Sequence, residues 1–228
     1  LTATEPISST IPSNLTEADR ARFAASAVTS LEQLHAINGV PNPQILDKHT
    51  DYLTPLLVEF IGLVPYYLLS SSNANGTCDV SPRGDAPGAV KVLDARTIAL
   101  PDRPGNRRID TLSNIVTNPH VGLLMLIPAV DETVRINGRA SITTDPELLA
   151  TMQMQGKTPK MAIIVDIDEV YVHCARSILR AGLWSPDKWP DPDDVPTLAA
   201  IMSEQKNYPK PDEGPGQKRN EEYRQVLY

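Results

Sequence analysis

The spacing of apolar and polar residues changes character at Val64, helical before it and largely β after it. An alanine-rich helix is expected to open at Leu15, with Thr16 as N-cap and Asp19 in the capping-box position, and to end near Asn38-Gly39. Residues Leu1–Ser13 ahead of it read as a loose arm. Pro41–Pro43 break the chain, and a second helix is expected from Gln44 to about Ile61, with Pro55 near a break or restart.

Beyond Val64 the pattern predicts strands at Val64–Ser70 and Thr77–Ser81, joined by a hairpin turn at Asn73-Ala74-Asn75-Gly76. Ala89–Leu93 and Thr97–Leu100 form a further pair. A helix follows over Arg107–Thr117, with Ile109, Leu112, Ile115 and Val116 on one face, and stops before Asn118-Pro119. Val121–Ile127 is apolar on both faces and reads as a buried central strand. Glu132–Ile142 alternates: Val134, Ile136 and Gly138 face one way, and Thr133, Arg135, Asn137 and Arg139 the other. Glu147–Gln155 reads as a short helix and Met161–His173 as a long strand with Met161, Ile163, Val165 and Ile167 on one side. Ala175–Leu183 and Thr197–Glu204 are further helices, and Pro209–Gly216 is extended or disordered.

Six or seven short strands, one inserted helix and helices at either end predict a mainly β fold with flanking helices, a closed or split antiparallel barrel. The expected organisation is an N-terminal arm with helices over 1–51, a barrel domain over 52–186 and a Pro-rich extension over 187–228.

Composition narrows the function. A net charge of −7 argues against nucleic acid as a main partner. No apolar run reaches the length of a membrane span, the longest being Val121–Pro128. Cys78 and Cys174 are too few for a disulfide framework, which points to a reducing compartment and a cytoplasmic location. The chain opens at Leu1 rather than methionine, leaving room for a removed upstream segment. The four histidines have no metal-ligand spacing, so no metal site is expected. His173 and Cys174, adjacent on an extended strand, are expected to point to opposite faces, which defeats a nucleophilic pair. Neither G-x-G-x-x-G, a P-loop nor G-x-S-x-G is present.

What remains is a local concentration of arginine in an acidic chain. Two Pro/Gly-rich turns carry Ser81, Arg83, Gly84 and Asp85 in the first and Asp102, Arg103, Asn106, Arg107 and Arg108 in the second. Arginines in a first helical turn oppose the helix dipole unless an anion is bound there, so Arg107 and Arg108 are candidate phosphate ligands. Alternatively, the arginines and aspartates pair with one another and pin the two turns.

The strings S-P-R-G-D-A-P-G (Ser81–Gly88), P-D-R-P-G-N-R-R (Pro101–Arg108), N-P-H-V-G-L-L (Asn118–Leu124) and E-T-V-R-I-N-G-R-A (Glu132–Ala140) resemble the pyridoxamine 5′-phosphate oxidase-like FMN-binding split barrels. The resemblance covers roughly Tyr52–Pro186. It implies a homodimer with FMN between the subunits. Asn106–Arg108 would hold the phosphate, Ser81–Asp85 would lie along the flavin and ribityl chain, and Glu132, Thr133 and Arg135 would face the ring. The oxidases proper carry R-L-H-x-R near the C-terminus, where this chain has Cys174–Trp184 without that string. The substrate is therefore not carried over, and Arg176, Arg180 and Trp184 are the candidates on its side, Trp184 reading rather as a core cap. The expected function is FMN-dependent oxidation or reduction of a small organic molecule; a flavin carrier or sensor, or a deazaflavin- or haem-handling protein, are the alternatives.

Overall fold

The structure, a computed structural model, describes residues 14–209 together with 224 and 227. The expected loose arm and all but Pro209 of the expected extended stretch lie outside them. The chain divides into two compact units, one up to Lys48 and one from His49 onward.

The first unit contains three short helices: α1 (Glu17–Ala25), α2 (Leu31–Asn38) and α3 (Pro43–Leu46). The Thr16–Asp19 capping box forms as the sequence predicts. The single helix expected up to Asn38 is two helices, because Ser30 caps a new start by accepting from the Gln33 N–H. None of the three helices buries a residue.

The second unit opens with α4 (Pro55–Leu63). Thr54 caps it and Pro55 takes its first position, so proline starts this helix rather than interrupting a longer one. Seven strands follow: β1 (Tyr66–Ser72), β2 (Cys78–Gly84), β3 (Lys91–Asp94), β4 (Thr97–Pro101), β5 (His120–Leu126), β6 (Thr133–Thr143) and β7 (Ala162–His173). They form one antiparallel sheet in the order β2-β1-β5-β6-β7-β4-β3. Leu69, Leu123, Val134, Ile136, Val165 and Val170 are among the buried residues of its core. β5 is central as predicted, although its second face (Gly122, Leu124, Leu126) is only half-buried.

Three local features set up the site. First, β2 runs on through Ser81-Pro82-Arg83-Gly84, so this stretch is strand and not turn. As an edge strand, β2 tolerates Pro82 without losing a ladder bond inside the sheet. Second, the register of β6 against β7 shifts at Asn137/Gly138, leaving Asp168 as the extra residue. A Cβ on Gly138 would stand 2.2 Å from the Asp166 carbonyl oxygen, so only glycine fits there. The bulge also changes which β7 side chains face inward, from Ile163, Val165 and Ile167 to Val170.

Third, helix α5 (Asp110–Thr117) begins three residues later than predicted. Arg107 (φ 59°) and Ile109 (φ 56°) are left-handed, and neither residue type favours that conformation. The expected apolar face is rearranged accordingly. Ile109 and Val116 are exposed, whereas Thr111, Asn114 and Ile115 are buried. The Asn114 side-chain amide donates to Ser71 Oγ at 3.0 Å and to Asp79 Oδ2 at 2.8 Å, tying α5 to β1 and β2. Helices α6 (Pro146–Thr151), α7 (Arg176–Ala181) and α8 (Leu198–Lys206) complete the described chain.

Candidate functional site

The two Arg/Asp motifs meet, and they exchange partners. Arg83 of the first bonds Asp102 of the second at 2.7 Å, and Arg103 of the second bonds Asp85 of the first at 2.5 Å. Arg103 also donates to the Met152 carbonyl at 2.8 Å, fastening the pair to the end of α6. All four side chains are at most one-fifth exposed. At that burial, loss of one partner strands a charge, so these pairs fix the geometry of the loop around them.

The pairs form one wall of a cleft of about 1030 Å³. Ser81, Arg83, Gly84, Asp85, Asp102, Arg103, Asn106, Arg107 and Arg108, nine of the expected cofactor residues, all line it. The second motif's loop closes on itself, the Arg108 N–H donating to Asn106 Oδ1 at 3.0 Å. Arg108 pairs with Asp110 at 2.7 Å, and this carboxylate raises its pKa. Arg107 has no hydrogen-bond or ion-pair partner among the described residues. No side chain caps the N-terminus of α5 directly behind it. The arginines thus stand ahead of the helix and not in its first turn, where Asp110 sits instead, in accord with the dipole. Within the wall, Arg83 Nε is buried without a hydrogen-bond partner.

Thr133 and Arg135 line a different cleft, of about 620 Å³, on the outer face of β1, β5 and β6. Arg176 and Arg180, expected on the substrate side, line it as well. Arg135 pairs with Glu169, which also accepts from the Asn137 amide at 3.2 Å, and its guanidinium lies 5.3 Å from the Tyr171 ring centre. Arg135 Nε is buried and unpartnered. Glu132 is exposed just before β6 and lines neither cleft. Trp184 also lines neither; its indole N–H donates to the Val130 carbonyl at 2.9 Å, the bond of a packed cap.

Several lining residues are not among the site residues expected from the sequence. Tyr67, Asp79, Lys157 and Lys160 line the large cleft, and Asn137, His173, Cys174 and Ser177 the smaller one. His173 ends β7 and Cys174 follows it; both line the smaller cleft, and no hydrogen bond joins them among the described residues. Burial, and then the Arg135 charge, lower the His173 pKa below its ordinary 6.5. Among the described residues no three His, Cys, Asp or Glu side chains gather as a metal site. No helix there is long and apolar enough to cross a membrane.

A family model described as Pyridoxamine 5′-phosphate oxidase matches residues 53–174, more than half of the chain. The protein belongs to that family. Similar solved structures include a putative pyridoxamine 5′-phosphate oxidase from Lactobacillus delbrueckii, 21% identical, covering 54% of this chain and 95% of its own, with a TM-score of 0.42. An FMN-binding protein from Syntrophomonas wolfei is 14% identical and covers 63% and 92%, with a TM-score of 0.41. The heme storage protein HutZ from Vibrio cholerae is 18% identical and covers 53% and 93%, with a TM-score of 0.37. No curated protein matches the sequence.

Proposed function

We propose that this protein is an FMN-dependent oxidoreductase acting on a small organic molecule, with flavin held between two copies of the chain. The observation that carries the reading is the cationic end of the large cleft. There the unpartnered Arg107, with Arg108 and Asn106, stands before the uncapped start of α5. Backbone donors, helix dipole and guanidinium converge on one place, which is the donor set a phosphate monoester takes.

The remaining residues fit the same group. The orphaned Arg83 Nε supplies a donor that only a bound acceptor would satisfy. The cleft volume is at the upper end of the roughly 300–1,000 Å³ that drug-sized ligands fill, enough for FMN. When bound, FMN supplies hydride and single-electron transfer, and the protein supplies position and field. Arg107, Arg108 and Asn106 hold the phosphate. The Arg83–Asp102 and Arg103–Asp85 pairs keep the wall in place.

The separation of the expected residues over two clefts supports the homodimer. Thr133 and Arg135 sit apart from the phosphate cluster within one protomer, so they reach the flavin ring of the other copy's site. Arg176 and Arg180, beside Arg135, take the substrate side. Exposed free Cys78 and Cys174 fit a reducing cytoplasm.

The test is the visible spectrum of the purified full chain, with the released cofactor weighed by mass spectrometry. A two-band flavin spectrum and the mass of FMN are expected, followed by bleaching with NADPH or NADH under anaerobic conditions. FMN present but inert to every reductant and acceptor would make the protein a carrier or sensor. A colourless protein that takes up no added FMN would overturn the reading.

A further inference from the structure

Tyr67 occupies a position in β1 where the sheet's inner face meets the large cleft. It belongs to the core, at 5% exposure, yet it also lines the cleft. Its cross-strand partner on β2 is Arg83 and on β5 is Met125. A phenylalanine would bury the same ring there. The hydroxyl is what distinguishes this residue, and it makes no hydrogen bond among the described residues. The ring is buried, but the hydroxyl oxygen is not among the buried atoms left without a partner, so it opens onto the cleft, where a ligand can meet it.

The surroundings show why no protein group meets it. The four charges that act on the phenol are Arg83, Asp85, Asp102 and Arg103. They are committed to one another in the two crossed pairs. Burial keeps the phenol protonated, so the hydroxyl remains a donor. On the neighbouring strand Arg83 Nε is a buried donor without an acceptor. Two unpaired donors at one wall of one cleft call for a ligand that presents acceptors.

We propose that Tyr67 is a ligand-binding residue of the large cleft, its hydroxyl donating a hydrogen bond to an acceptor oxygen or nitrogen of bound FMN. The proposal rests on the FMN reading above and adds to it a contact that the Arg/Asp motifs do not contain.

Tyr67→Phe removes the hydroxyl and keeps the ring. Without FMN the variant should melt at the wild-type temperature or slightly above, since the hydroxyl has no partner to lose. With FMN its Kd, read by quenching of flavin fluorescence, should rise about fivefold, the loss expected for one neutral hydrogen bond. The FMN-induced rise in melting temperature should shrink in step. In the wild-type chain, the tyrosine ring-carbon signal of Tyr67 that reports on its hydroxyl should shift when FMN is added, a measurement independent of the variant. Unchanged FMN affinity in a folded Tyr67→Phe protein, or an unmoved Tyr67 signal in FMN-loaded wild type, would overturn this proposal and leave the FMN reading standing. Wild-type protein that takes up no FMN would overturn both.

Discussion

The two clefts are both lined by arginine, but they use it differently. In the large cleft Arg83 and Arg103 are spent on Asp102 and Asp85, and Arg107 has no partner among the described residues. In the smaller cleft Arg135 is held by Glu169, while Arg176 and Arg180 have no partner among the described residues. Each cleft therefore contains arginines that build the wall and at least one that has no partner among the described residues. A count of charges along the chain does not separate the two kinds. Their partners do, and these lie 18 to 34 positions away.

The sharpest break of this distinction is Asp85→Ala. It strands the mostly buried Arg103 guanidinium and should cost about 3 kcal/mol in urea unfolding, within the range for one lost partner of a buried pair. Replacing Asp85 by leucine together with Arg103→Met should recover most of that loss. If Asp85→Ala is as stable as wild type, the pair does not hold the wall.

Next in size is Arg107→Ala with Arg108→Ala. FMN affinity should fall about 100-fold, as expected from losing charge-assisted bonds to a phosphate. Stability should stay within about 0.5 kcal/mol, because both residues are exposed. Full FMN occupancy in this variant would remove the phosphate from that end of the cleft. The matching change in the smaller cleft, Arg176→Ala with Arg180→Ala, should alter FMN affinity by less than about threefold, as for exposed charges that do not touch the phosphate. A loss equal to that of the Arg107/Arg108 variant would mean that both clefts grip the same anion.

The smallest effect concerns pH. The folded pKa of His173 lies below its ordinary 6.5, so the unfolded chain takes up the proton first as pH falls. The stabilising contribution is whole above 6.5 and is lost as pH drops from there through the folded value. In acid titrations of stability, His173→Gln should flatten that part of the curve. An unaltered curve would mean that the group is not shielded in the folded chain.

Much of the barrel was legible because strand alternation and burial coincide in β5, β6 and the first half of β7. The bulge was not legible: Asp168 is an ordinary surface residue, and the close approach of Gly138 to Asp166 depends on a strand 28 positions away. The chemistry-bearing motifs were legible as motifs, and nine of their residues do gather in one cleft. Their crossed pairing was only one of two readings, since sequence gives no partner for an arginine. The start of α5 was misplaced because Arg107 and Ile109 adopt left-handed geometry that local propensity assigns to glycine or asparagine. Asn114, outside the apolar face expected for that helix, is buried and bonds Ser71 and Asp79. Tyr67 was invisible for a simpler reason: beside Leu68 and Leu69 its ring reads as core, and only the cleft shows that its hydroxyl is unspent.

The most direct measurement is a paired titration of FMN and riboflavin into the 228-residue chain, followed by flavin fluorescence. The two ligands differ only by the phosphate. If Arg107, Arg108 and the start of α5 form a phosphate site, FMN should bind about 100-fold more tightly. Equal affinities would contradict it.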